Sequence, residues 1–273
     1  MIRYLKTLDL FLLLFGSFSF CLGCKSEPVE VIEELEEIVI GCDEHSPYFF
    51  INENGELDGI DYSLASEAYR RMGYEAVFRL IDWSDKVSQL NSGSVDCLWG
   101  AFSINGEEDE YQWTGSYLKS RQVVVVLENS EINTLNDLKQ KRIGVQSSTK
   151  AEDIFSLKED EKLPNIKELY CFEDMNLAFA ALRKGYVDAV SGYEEVMKYN
   201  INNSIPDYKI LDETLFISNL GVAFSKSYDK NFVQELTSIL EKMNEDGFIQ
   251  ETVIKYESKG AIAFWYMQYE KNN

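Results

Sequence analysis

Residues 38–100 read IVIGCDEHSPYFFINENGELDGIDYSLASEAYRRMGYEAVFRLIDWSDKVSQLNSGSVDCLWG, and the order of their apolar runs decides the fold. Ile38–Cys42 is a short apolar run, the pattern of a buried strand. A loop with Ser46-Pro47 and three aromatics follows, and Asn54-Gly55 marks a turn between extended pieces. From Asp61 to Met72, Leu64, Ala65, Ala68, Tyr69 and Met72 recur at helical spacing, and Gly73 ends the helix. Val77–Ile81 predicts a second strand, Trp83–Leu90 a short helix and Val95–Gly100 a third strand. The order is β–α–β–α–β, which calls for a mostly parallel sheet covered by helices.

The pattern then repeats. Gln122–Leu127 (QVVVVL) is a long β-branched run, and Thr134–Lys139 a short helix capped by Thr134 with Asp137 three residues on. Strands are expected at Arg142–Gln146, Ile166–Tyr170 and Val187–Val190. Helices are expected at Ala151–Leu157, Met175–Arg183 and Glu194–Tyr199. One more strand, Leu220–Phe224, precedes helices at Asn231–Asn244 and Ile249–Tyr256.

The chain of 273 residues is long enough for two lobes of roughly 100 residues each. Its formal charge of −21 repels nucleic acid and anionic headgroups, so nucleic-acid binding is excluded. At the start, Arg3 and Lys6 precede the apolar run Leu10–Leu22, then Gly23, Cys24 and the polar stretch KSEPVE. That run is about 13 residues, short of the roughly 20 of a membrane span, and reads as a secretory leader. A small residue before Cys24 resembles the lipobox of bacterial lipoproteins, in which the cysteine is acylated and becomes the mature N-terminus. Cys21, three positions earlier, departs from that pattern, and an uncleaved leader would remain as a poor anchor. Residues 25–36 are an acidic tether. Cys42, Cys97 and Cys171 read as buried free thiols, and with one histidine in the whole chain no metal site is expected.

Seven pieces in order resemble the family 3 extracellular solute-binding proteins, the polar amino-acid receptors of ABC importers. They are IVIGCDEHSPYFF, GELDGIDYSLASEAYRRMG, WSDKVSQLNSGSVDCLWG, WTGSY, NDLKQKRIGVQSST, LRKGYVDAV and NEDGFIQ. The resemblance implies a two-lobed clamp of the periplasmic-binding-protein type. Lobe one would be 37–123 plus 221–260, lobe two 129–216, with crossing strands at Val123–Leu127 and Asn219–Phe224. Ligand would lie in the interlobe cleft, at the C-terminal ends of parallel strands.

By the same resemblance, Trp83 and His45, with Tyr48 beside it, would cover the ligand side chain. Trp83 reads equally well as a core residue opening a helix. The backbone around Gly100, Phe102 and Ser103 would receive an amino group. Ser147, Ser148 and Thr149, where a strand meets a helix, would hold a carboxylate. Two departures stand out. Glu107 takes the place of the family's carboxylate-binding arginine, and Tyr193, with Glu194 beside it, the place of the ammonium-binding aspartate. A carboxylate facing a ligand carboxylate repels it. The expected ligand is therefore a cationic or neutral solute, its amine against Glu107 or Glu194, rather than a standard α-amino acid. No cofactor is expected. The partner would be an ABC permease, or alternatively a receptor kinase, and the protein a monomer. A third reading, a cyclohexadienyl-dehydratase-like enzyme, would need an acid–base pair among carboxylates such as Asp96, Asp188 and Glu107, and no catalytic motif supports it.

Overall fold

A computed structural model describes residues 35–157, 163–202 and 207–257. The leader, Cys24 and nearly all of the tether lie outside the described residues.

Two separate sheets organise the chain. The first has the order β4 (Tyr74–Leu80), β1 (Glu36–Cys42), β5 (Cys97–Leu98), β13 (Ala223–Phe224), β6 (Gln112–Trp113). Strand β1 is parallel to β4 and β5, whereas β13 is antiparallel to β5 and β6. A small hairpin, β2 (Phe50–Ile51) with β3 (Leu57–Asp58), stands apart around the Asn54-Gly55 turn. The second sheet runs β11 (Tyr208–Ile210), β7 (Leu118–Leu127), β10 (Ala189–Tyr193), β8 (Arg142–Gln146), β9 (Glu168–Phe172), and β12 (Phe216–Leu220) also pairs with β7. Here β8 is parallel to β9 and β10, while β7 is antiparallel to its partners.

The helices form because their apolar residues fall on one stripe. Helix α1 (Ile60–Met72) buries Ile60, Leu64, Ala65, Ala68 and Tyr69, and Gly73 ends it in a left-handed conformation. The short α2 (Lys86–Asn91) follows a 3₁₀ turn at Trp83–Asp85, where Asp82 caps Ser84. In the second lobe, α3 (Lys150–Leu157), α4 (Met175–Arg183) and α5 (Glu194–Asn202) cover the sheet, and Asp174 caps α4 through the Leu177 N–H. The last two, α6 (Lys230–Glu245) and α7 (Phe248–Glu257), pack on α1 and so complete the first lobe. Val123 to Val126 are all fully buried, as a β-branched run with both faces covered requires.

Three expectations change. The crossing ladder is earlier than expected, pairing Leu118–Gln122 with Phe216–Leu220. Its polar residues hid it, because Ser120 and Gln122 point inward. The single strand expected over Leu220–Phe224 is split between β12 and β13 at Gly221, whose N–H donates instead to Phe102 O. Of the three thiols, Cys42 and Cys97 are buried but Cys171 is exposed, because β9 lies at the edge of its sheet.

Candidate functional site

The C-terminal ends of β1, β5, β8 and β10 converge on one cleft. It encloses about 400 Å³, counting its open mouth, and draws residues from both sheets. Strand β1 delivers Asp43 and His45, and the segment after β5 delivers Gly100, Phe102, Ser103 and Glu107. From the second sheet, β8 ends in Gln146 and leads to Ser148 and Thr149, while β10 ends in Tyr193. Trp83 closes one side, its ring edge-on to Phe102 at 5.1 Å between centroids. The structure thus gathers nine of the residues singled out in the sequence: His45, Trp83, Gly100, Phe102, Ser103, Glu107, Ser148, Thr149 and Tyr193.

The cleft wall after β5 owes its shape to a buried carboxylate. Asp61, in the first turn of α1, accepts the Ala101 N–H at 2.7 Å and the Tyr117 hydroxyl at 2.9 Å. Ala101 is held at φ 49°, unusual for a residue with a Cβ, so the chain turns sharply between Gly100 and Phe102. Burial pushes the Asp61 carboxyl up to about 7, against the opposing hydrogen bonds from Ala101 and Tyr117.

Three residues expected at the site lie outside it. Tyr48 is in a second row, stacked behind His45 at 6.3 Å and edge-on to Tyr193 at 6.2 Å. Its hydroxyl crosses between the lobes to donate to Glu195 Oε2 at 3.0 Å, and Ser120 donates to the same oxygen. Ser147 donates its N–H to Phe172 O at 2.8 Å. Glu194 is not part of the cleft lining and is already paired: Arg121 holds it by two hydrogen bonds, of 2.6 and 2.7 Å, and Lys198 by a third contact at 2.9 Å. Those cations hold its carboxyl low despite burial. The expected amine-binding role of Glu194 is therefore corrected to an ion pair at the crossing ladder. Glu194→Gln is expected to cost about 2 kcal/mol by leaving the Arg121 guanidinium half-paired. That should lower the melting temperature by roughly 4–8 °C while ligand affinity stays within about twofold; a loss of affinity with unchanged stability would return Glu194 to the site.

The expected carboxylate cradle is also altered. The Ser148 N–H, in a residue with φ 59°, donates to Glu152 Oε2 at 2.6 Å, and Thr149 Oγ1 donates to Gln146 O at 2.8 Å. A side chain of the protein itself therefore sits on that N–H.

Sequence reasoning passed over Asp43, Asn105, Gln146, Lys150 and Asp153, which also line the cleft. Asp43 and Gln146 were accessible to the strand-end rule, since one follows β1 and the other closes β8. Gln146 Nε2 donates to Asp43 Oδ2 at 2.9 Å, tying one lobe to the other. Burial raises the Asp43 carboxyl, opposed chiefly by His45, and burial lowers the His45 imidazole, opposed chiefly by Asp43. Glu107 is raised by burial and pulled down by Lys86. Lys86 itself is buried at the edge of the cleft, 7% exposed.

The model of the bacterial extracellular solute-binding proteins, family 3, matches residues 38–259. The chain belongs to this family. A probable histidine-binding protein of Campylobacter jejuni is 25% identical over 215 residues, covering 78% of this chain and 81% of that protein. The histidine-binding periplasmic protein of Escherichia coli K12 is 26% identical over 234 residues, covering 81% and 87%. Among solved structures, an ancestral arginine-binding protein bound to arginine superposes with a TM-score of 0.71 at 27% identity, covering 80% of this chain and 97% of that one. The family assignment and the two-lobed α/β clamp read from the sequence are both borne out. Among the described residues, no helix is long and apolar enough to cross a membrane.

Proposed function

We propose that the protein captures a small, amino-acid-like polar solute bearing an amine in the interlobe cleft. It then presents the closed clamp to an ABC-type importer, from the outer face of the cell membrane, tethered through an acylated Cys24. It performs no chemistry on the solute. The observation that carries this reading is the convergence of four strand ends from two sheets on one cleft, in a chain of the solute-binding family. Asp43, Glu107 and Asp153 give the cleft carboxylates for an amine. Trp83, Phe102, Tyr193 and His45 supply flat surfaces around it. Relatives bind histidine or arginine by name, which supports an amino-acid-like solute. The paired strands β7 and β12 join the lobes, and bending there would open and close the cleft.

The test is a thermal-shift screen of the purified protein against amino acids, polyamines, small sugars and carboxylates. A ligand of the folded state raises the melting temperature by mass action. At least one amino acid is expected to do so, and Trp83→Ala is expected to weaken it about tenfold or more by removing a wall of the cleft. Shifts from sugars or carboxylates alone would overturn the amino-acid reading, and no shift from any of these solutes would sink the reading as a whole.

A further inference from the structure

The side chain of Lys86 starts at the beginning of α2, in the first lobe, and ends buried against residues of both lobes. Its ammonium lies 5.4 Å from the centroid of the Trp83 ring and 5.5 Å from that of Phe102, within cation–π range of both. It donates across the cleft to Ser148 O, in the second lobe, at 3.2 Å. The carboxylates that act on it, Glu107 first and then Asp153, Asp43 and Glu152, come from both lobes, and the first three line the cleft. Aromatic faces, a carbonyl oxygen and a ring of carboxylates together make a receptor for a cationic side chain. In this protein the receptor is already filled, by a residue of the protein.

We propose that Lys86 is the specificity-determining residue of the cleft: by occupying the cation-binding corner formed by Trp83, Phe102 and Ser148, it excludes solutes with a cationic side chain, so the ligand is an amino acid whose side chain is uncharged or acidic. This rests on the solute-binding reading above, and it runs against the expectation drawn from the sequence, a cationic or neutral solute rather than a standard α-amino acid. The physical reasons are two. A second ammonium or guanidinium in the corner would meet Lys86 at contact range in a site largely shielded from water, where like charges repel far more than in solution. The ring faces and Ser148 O that would repay its desolvation are already engaged. Exclusion built from a resident like charge is a recognised route to discrimination between otherwise similar partners. The converse also holds. Without Lys86, the two ring faces and Ser148 O lose their resident ammonium, and the corner opens to a ligand's own cation.

The test is titration calorimetry of the wild type, Lys86→Met and Lys86→Gln with L-arginine and L-glutamine as probes. The wild type is expected to bind glutamine and to give no arginine heat. Both variants are expected to bind arginine at least about tenfold more tightly than the wild type. Lys86→Gln keeps a polar head one bond shorter than the ammonium and Lys86→Met an apolar chain, so a gain in both variants assigns the effect to the charge. Arginine bound by the wild type as tightly as by the variants overturns the proposal and leaves the solute-binding function standing. Folded variants, with sharp melting transitions, that gain no arginine binding overturn it as well. Should a variant fail to fold, the wild-type arginine titration and the other variant decide. If no form binds either probe or any other amino acid, the proposal falls together with the function it rests on.

Discussion

Gly59→Ala is expected to destabilise the protein by about 3 kcal/mol or more, placing it among the severe single substitutions, and to lower the melting temperature by roughly 10 °C. Gly59 precedes α1 with φ 138°, a conformation that residues with a Cβ rarely adopt. A Cβ built there would lie 2.2 Å from Tyr48 O, 2.7 Å from Tyr48 C and 3.0 Å from Phe49 Cα. None of these is the end of a flexible side chain, so the loop itself would have to move. That loop is pinned by the same helix start: Ile60 N–H donates to Pro47 O at 3.0 Å and Asp61 N–H to Tyr48 O at 2.8 Å. Relieving the clash therefore breaks two hydrogen bonds that satisfy the first turn of α1. It also displaces His45, whose position depends on the Tyr48 ring and on the hydrogen bonds between His45 and Phe49. Ligand affinity should fall together with stability. Gly55→Ala is the control. Gly55 has φ 80° in the β2–β3 turn with nothing within 4 Å of the added Cβ, so only the conformational term applies, about 1 kcal/mol. Thermal melts of the two variants separate strain from clash, and equal losses would show that the Tyr48 carbonyl exerts no steric constraint.

Elements that recognise themselves locally could be read from the sequence. Helix α4 begins and ends where the sequence predicts, at Met175 and Arg183, and the structure adds the Asp174 cap. Strand β8 is as expected at Arg142–Gln146, because its apolar core is flanked by polar turns. Elements defined by their partners could not be read. Strands β6 and β11 are two and three residues long and exist only because β13 and β7 offer them a ladder. The first half of β7 was missed for a different reason. Leu118, Ser120 and Gln122 do alternate inward, but two of the three are polar and look like a solvated face until Glu195 is placed against Ser120.

The same division runs through the cleft. Residues at strand ends and in the loops beyond them follow from topology, and so most of the expected site residues converge. Charged residues do not carry their environment in their letter. Glu194 looked available to a ligand amine because Arg121, which holds it by two hydrogen bonds, is 73 residues away in sequence, and Lys198 four residues on was the local sign of its pairing. Lys86 was passed over, since a buried lysine has no local signature. Its burial depends on Trp83 and Phe102, within its own lobe, and on Ser148, which reaches it only from the other lobe.

Asp61 gives the second large effect, visible in the pH dependence of stability. Burial holds its carboxyl near 7 in the folded protein, against an ordinary value of 3.8. Between about pH 4 and pH 7 the folded state keeps a proton that the unfolded chain has released. The folded state binds more protons in that window, so stability falls as pH rises through it and levels off above about 7. Each pH unit within the window costs about 1.4 kcal/mol from this group. Asp61→Asn removes the titration while keeping an oxygen to accept the Ala101 N–H. Between pH 5 and pH 8 the variant is therefore expected to gain about 2–3 kcal/mol relative to the wild type. Burial also raises Asp43 and Glu195, which give both proteins slopes of the same sign. The difference between the two proteins isolates Asp61. Urea unfolding at the two pH values measures it, and parallel pH profiles would show that Asp61 is ionised throughout. Binding is expected to change little over the same range, because Asp61 acts on the wall and not on the solute. It takes the Ala101 N–H from behind, and Ala101 stays at its strained φ as long as any acceptor occupies that place. Replacement by alanine, which offers no acceptor, should release the turn and weaken ligand binding at every pH. The asparagine and alanine variants together thus distinguish a carboxylate whose charge sets stability from an oxygen whose position shapes the cleft.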